Sequence, residues 1–270
     1  MPADMVLGVI GCPILEDEIV HAVQRDRDIT KVIVVRSEDS ANLVRKLGLL
    51  KDHPPVEVIE PGSIASVDEK GFSLLVMMKP MALHEDPKVL REEVAKALSD
   101  VAGVSRSILL FYGLCGNAFK DVAPLAESTA RPITVLSDEQ GRPVDDCIAA
   151  VVGGTDGYLR LLKRYPGVFY LTPGWAENWR ELISKMEITR GIDKDDLSTL
   201  KWMFELAGYK LAIKIPTGLG EQDRFDQRAR EFVREFGFDL GELEREHVTL
   251  ECVDRSYDQA KSQLSAGPGL

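Results

Sequence analysis

Cys12, Cys115, Cys147 and Cys252 are the four thiols of the chain, and no two of them form a Cys-x-x-Cys pair. Three occupy one kind of position. Cys12 ends Val9-Ile10-Gly11-Cys12-Pro13, directly after an apolar β-branched run. Cys115 follows another such run in Leu109-Leu110-Phe111-Tyr112-Gly113-Leu114-Cys115-Gly116-Asn117, and Cys147 stands in Pro143-Val144-Asp145-Asp146-Cys147, after the run Pro132–Leu136. Three converging thiolates repel one another unless a metal ion or iron–sulfur cluster neutralises them, and three such ligands leave one coordination position open to a small molecule. The acidic neighbours Asp145 and Asp146 oppose a free thiolate at Cys147, and a bound cation would reverse that. The competing reading is a small buried hydrophobe, the usual state of a free cysteine. Cys252, inside the apolar stretch Val248-Thr249-Leu250-Glu251-Cys252-Val253, is assigned to the core on that basis.

The elements that must position these residues are legible from periodicity. Met5–Ile10, Lys31–Val35, Val56–Ile59, Phe72–Met77, Ser107–Tyr112, Pro132–Leu136 and Gly167–Leu171 read as strands. Between them, Glu16–Arg25, Ser40–Leu49, Pro87–Leu98, Ile148–Val152, Gly157–Arg164 and Glu177–Met186 read as helical. This alternation predicts an α/β fold, a mainly parallel sheet flanked by helices in Rossmann-like layers. Ligands of such sheets sit beyond the carboxyl ends of the strands, where Cys12, Cys115 and Cys147 are expected. Residues 1–192 are read as the α/β domain carrying the three cysteines. Residues 193–264 form a C-terminal extension packed on it, with Asp193–Leu206 and Gln222–Phe236 as helices and Lys210–Ile215 and His247–Val253 as strands, and 265–270 are a tail.

Other residues are expected at the same edge. Gly113 and Gly116 permit close approach and left-handed backbone beside Cys115. Asn117 tolerates the same geometry and would cap a following helix, whose N-terminus would push the Cys115 thiol toward thiolate. His84, in a loop before a helix, is a candidate ligand or general acid–base. Thr172 and Trp175, after the Gly167–Leu171 strand, are expected to wall the pocket. The glycine-rich Gly153-Gly154-Thr155-Asp156-Gly157 lacks the Lys-Ser/Thr of a phosphate loop and reads as a helix break. His21, His53 and His247 read as structural or surface residues.

Composition narrows the function. With 33 Lys and Arg against 44 Asp and Glu, the formal charge of −11 lacks the basic footprint of a nucleic-acid or anionic-membrane binder. No apolar run approaches the roughly 18 residues that span a bilayer. The residues from Met1 to Leu15 do not resemble a signal peptide, so a cytoplasmic location is expected, where thiols usually stay reduced.

The stretch Phe111-Tyr112-Gly113-Leu114-Cys115-Gly116-Asn117 resembles the Gly-Tyr-Gly-Leu-Cys-Gly-Asn signature of a prokaryotic family known as domain of unknown function sixteen thirty-eight. Leu83-His84-Glu85-Asp86-Pro87, Asp146-Cys147-Ile148 and Tyr170-Leu171-Thr172-Pro173-Gly174-Trp175 follow in the family's order, and Cys12 matches an early cysteine. Phe111 replaces the first glycine, Ala118 follows Asn117, and Asp145 stands where the family pattern has a histidine. The resemblance implies that Cys12, Cys115 and Cys147 act together. It also implies a setting in anaerobe one-carbon metabolism near corrinoid-dependent methyltransferases, a matter of context and not mechanism. The expectation is a cytoplasmic protein binding a [4Fe–4S] cluster, with zinc as the alternative, and a corrinoid or methyltransferase protein as partner. Two other readings stay open: a metal-free group-transfer enzyme with Cys115 as nucleophile and His84 as base, and a non-catalytic module docking through its charged C-terminal helix.

Overall fold

A computed structural model describes residues 5–68, 70–81, 83, 86–185 and 196–265. Its main sheet has six strands: β1 (Met5–Gly11), β2 (Ile29–Val35), β3 (Val56–Ile59), β4 (Phe72–Met78), β5 (Ser107–Phe111) and β6 (Ile133–Val135). All pair in parallel in the order β3-β2-β4-β1-β5-β6. The α/β fold expected from the alternation is therefore present.

Side chains alternate across a pleated strand, so each central strand feeds two cores. Val6, Ile10, Leu75, Ile108 and Leu110 meet Leu90, Val94 and Leu98 of α3 (Pro87–Ala102) on one face, with Leu125 of α4 (Ala123–Thr129). Leu7, Val9, Val34, Val76 and Leu109 meet α1 (Glu16–Arg25), α2 (Ala41–Leu47) and α10 (Glu251–Ser262) on the other. Strands covered on both sides are almost wholly apolar, as β4 is apart from Ser73.

A second sheet, β7 (Val168–Leu171), β8 (Leu211–Lys214) and β9 (Asp239–Glu242), is also parallel. α5 (Gly154–Arg164) leads into it; the glycine run read as a helix break instead opens this helix, with Gly153 as its cap and Gly153 and Gly154 at positive φ. One face of the second sheet packs Phe169, Leu171 and Ala212 against α6 (Pro173–Glu177), α7 (Trp179–Lys185), α8 (Leu197–Leu206) and α9 (Gln222–Phe236). The opposite face contributes Tyr170, Ile213 and Ile215 to the core beneath the main sheet.

Two elements differ from the sequence reading. His247–Val253 is not a strand: a short 3-10 turn at Arg245–His247 precedes α10, which returns to the main sheet. Its apolar residues Cys252, Val253, Tyr257 and Ala260 fall at helical spacing once the polar residues between them are counted, and all are buried. β9 was missed because Asp239-Leu-Gly-Glu carries little β-propensity; pairing with β8 makes it a strand.

Candidate active crevice at the carboxyl edges

The sheet order fixes where a ligand site belongs. After β1 the chain turns toward β2 and β3, whereas after β5 it turns toward β6. The carboxyl ends of the neighbouring strands β1 and β5 therefore flank a topological switch point. Cys12 leaves β1 and Cys115 leaves β5. Cys147 leaves the connection after β6, the next strand over.

Cys12 is 2% exposed and opens a 3-10 turn over Pro13–Leu15, with Leu15 N–H donating to its carbonyl at 2.9 Å. The loop after β5 is held to the loop after β6 by two hydrogen bonds. Leu114 N–H donates to Val144 O at 2.7 Å, and Cys115 N–H donates to Asp145 O at 3.1 Å. Glycine is required for that seam, since a Cβ on Gly113 would lie 2.6 Å from Val144 O. Cys115, Gly116 and Asn117 then run in left-handed backbone, with φ of 44°, 68° and 70°. A non-glycine residue held there stores strain of about 1–3 kcal/mol, a cost that persists where surrounding structure enforces it.

This loop differs from expectation. No helix begins at Asn117; Cys115 sits in a left-handed turn and lacks the helix N-terminus that would lower a thiol. Burial instead pushes the Cys115 thiol up to about 12, with Asp146 and Asp145 adding to the rise. Burial likewise raises Cys12, with Cys115, Asp39 and Glu16 contributing, and raises Cys147 with Asp146, Cys12, Cys115 and Glu18 contributing. The three thiols thus lie within electrostatic reach of one another, and each charge named as acting on them is another thiol or an acid. Cys147 touches both cores, as a residue at the sheet's edge must. Asp146 Oδ1 accepts from the backbone N–H groups of Ile148 and Ala149, both at 2.9 Å, and burial still lifts its carboxyl to about 6.

Glu16, Asp17 and Glu18, on the first turn of α1, escaped sequence reading because a buried run of three acids is improbable. They are 1%, 2% and 1% exposed. Lys46 Nζ pairs with Glu16 Oε1 at 2.8 Å and Asp17 Oδ1 at 2.7 Å, and Asn42 also donates to Glu16. Glu18 shares neither ion pair. Burial, reinforced by Asp17, raises its carboxyl to about 8, and its Oε2 has no hydrogen-bond partner. The signal in sequence was position alone: six residues after Cys12, across the same turn.

The second sheet closes the crevice. A Cβ on Gly174 would lie 2.0 Å from Ile14 O, so the turn after β7 sits directly on the turn after β1. The loop after β8 does the same at Gly220, where a Cβ would lie 2.7 Å from Asp17 Oδ1. Thr172 is buried, and its hydroxyl accepts from Trp175 N–H at 3.2 Å as the cap of α6. Trp175 packs between the core holding Cys12 and the core of the second sheet. Gly116 and Asn117 are exposed, and Gly113 is buried. His84 lies outside the described residues. Cys252 is buried beneath the main sheet on α10, remote from this edge in role.

Among the described residues, no three or more His, Cys, Asp or Glu side chains are grouped so that they could hold a metal ion. No helix among them is long and apolar enough to cross a membrane. No curated protein and no solved structure matches the chain. Residues 78–253, which include Cys115 and Cys147, match the family described as Protein of unknown function (DUF1638), and the chain belongs to that family.

Proposed function

We propose that Cys12, Cys115 and Cys147 hold an iron–sulfur cluster of the [4Fe–4S] type in the crevice, with its remaining position available to a small molecule. The observation that carries this reading is that Cys12, buried, and Cys115 and Cys147, partly buried, come from three loops at the strand ends and pack into one core among chiefly acidic groups. Metal-free, such thiols stay protonated; a cationic centre converts them to thiolates and relieves the unfavourable electrostatics. Soft sulfur donors suit iron–sulfur chemistry or zinc and not magnesium or calcium. A cluster is favoured over zinc because its thiolates stand on separate irons, whereas a single zinc draws all of them to about 2.3 Å from one ion.

The nucleophile reading has less support. A cysteine nucleophile needs its thiol lowered by a cation or helix N-terminus, and burial holds Cys115 at about 12 instead. As a working context, the cluster protein acts beside a corrinoid or methyltransferase partner in cytoplasmic one-carbon metabolism, a role drawn from the family's setting. The chain's own residues would supply the thiolates, exclude water through the docked second sheet, and orient the Cys115 loop through Gly113.

The test is anaerobic purification followed by iron, zinc and acid-labile sulfide analysis of wild type and of Cys12→Ser, Cys115→Ser and Cys147→Ser. Wild type should be brown and each replacement should lose most of its iron. Tightly held zinc without sulfide would redirect the assignment. Loss of function in Cys115→Ser alone, with the other two silent, would favour the nucleophile.

A further inference from the structure

Helices α1 and α2 and the loop between β8 and α9 enclose a cavity of about 220 Å³, with Asp17, His21, Lys46, Leu49, Leu50 and Leu219 on its walls. Cys12, Cys115 and Cys147 do not line it, so it stands apart from the iron–sulfur reading. Its polar wall is unevenly charged. Lys46 Nζ is shared between Asp17 Oδ1 at 2.7 Å and Glu16 Oε1 at 2.8 Å, so one ammonium meets two carboxyl groups. Asp17 is 2% exposed, and its Oδ2 has no hydrogen-bond partner among the described residues. A buried carboxyl oxygen without a donor is costly, and each such atom calls for a physical account. The other charged groups of the wall are matched, Glu221 with Arg45 at 2.6 Å and His21 with Asp254 at 2.9 Å. The apolar wall reaches solvent at Leu49, which is 60% exposed. The loop after β8 lies over the orphaned oxygen, since a Cβ on Gly220 would stand 3.0 Å from Asp17 Oδ2. Gly218 and Gly220 are exposed there, with φ of 77° and 69°.

We infer that this cavity binds a small ligand carrying a primary ammonium group on an apolar body. The ammonium donates to Asp17 Oδ2 as the Gly220 loop gives way, and it supplies the second cation that the two carboxyl groups call for. A charge-assisted hydrogen bond of this kind is roughly twice as strong as a neutral one. The body of the ligand lies against Leu49, Leu50 and Leu219. A cavity of roughly 150 Å³ holds benzene, so this one has room for a single ring and a short amine-bearing arm. Its walls come from helices on the main sheet and from a loop of the second sheet, so the bound ligand ties the two layers together and stabilises the folded chain.

Phenethylamine is the probe, and phenethyl alcohol is its uncharged counterpart. Each would be titrated into the protein as purified, with Tm and backbone amide chemical shifts as readouts. The amine should raise Tm with concentration, shift the amides of Leu49, Leu50 and Leu219, and bind at least tenfold more tightly than the alcohol. Asp17→Asn should bind the amine at least tenfold more weakly, while Lys46 keeps Glu16 as a partner. Leu49→Lys, at an exposed position, should weaken binding by a similar factor because it sets a like charge at the mouth. No saturable shift at millimolar amine, shifts confined to other residues, or equal affinity for amine and alcohol would overturn the site. Should Asp17→Asn fail to fold, Leu49→Lys decides: unchanged amine affinity there overturns the assignment.

Discussion

Replacing Gly174 by alanine tests whether the two sheets meet edge to edge as described. Gly174 lies in α6, where alanine would ordinarily gain about 1 kcal/mol of helix propensity. Here the added Cβ would stand 2.0 Å from Ile14 O, 2.7 Å from its carbonyl carbon and 3.0 Å from its Cα. These are backbone atoms inside the fully buried turn Pro13–Leu15, so no side-chain rotation can clear them. Overpacking typically costs about 1–3 kcal/mol, and a backbone obstacle puts this case at the upper end, about 3 kcal/mol. For a chain of this size about 2–4 °C is lost per kcal/mol, so the expected fall in Tm is about 6–12 °C. Gly103→Ala is the matched control: Gly103 has φ −62°, and its Cβ would meet nothing within 4 Å. That change should be neutral or stabilising by about 0.4–1 kcal/mol. Circular dichroism melts and urea midpoints would report both. Equal stability of Gly174→Ala and wild type would refute the docking of β7's turn onto β1's turn.

Gly113→Ala should displace the Cys115 loop from the Val144–Asp145 backbone, lowering bound iron at least several-fold while the far-UV spectrum keeps its α/β shape. Lys46→Met should cost about 3–5 kcal/mol in urea titrations, because it leaves Glu16 and Asp17 buried without their cation. In metal-free protein, Glu18 is raised from 4.5 to about 8; its stabilising protonation is complete below the lower value and lost as pH rises to the upper. The loss is on the order of 5 kcal/mol, so urea midpoints should fall between those limits and Glu18→Gln should flatten the fall. Cys252→Ala should cost about 1 kcal/mol through a small core cavity and leave iron content unchanged.

The parallel sheet was legible because its strands are apolar runs separated by amphipathic helices with clear starts, such as Pro87 after the capping Asp86. The rule that ligands gather at carboxyl ends then singled out Cys12, Cys115 and Cys147 without any local spacing motif. The second sheet was harder to read. β9 is polar and short, and β7 shows in sequence as one more strand in line, with nothing to say that it leaves the main sheet. The docking of Gly174 on Ile14 spans 160 positions of chain and has no local signature. Glu18 was invisible for a related reason. Acids in the first turn of a helix ordinarily stabilise its dipole from solvent, and nothing local shows that Lys46 and Asn42 of α2 and the loop after β8 come to lie on them.

Iron and acid-labile sulfide per chain, measured on protein purified without oxygen, decide whether Cys12, Cys115 and Cys147 hold a cluster. A brown protein carrying about three to four of each is expected, with both lost on replacing any one of Cys12, Cys115 or Cys147 but retained on replacing Cys252. A colourless wild-type protein with neither iron nor sulfide would contradict the cluster.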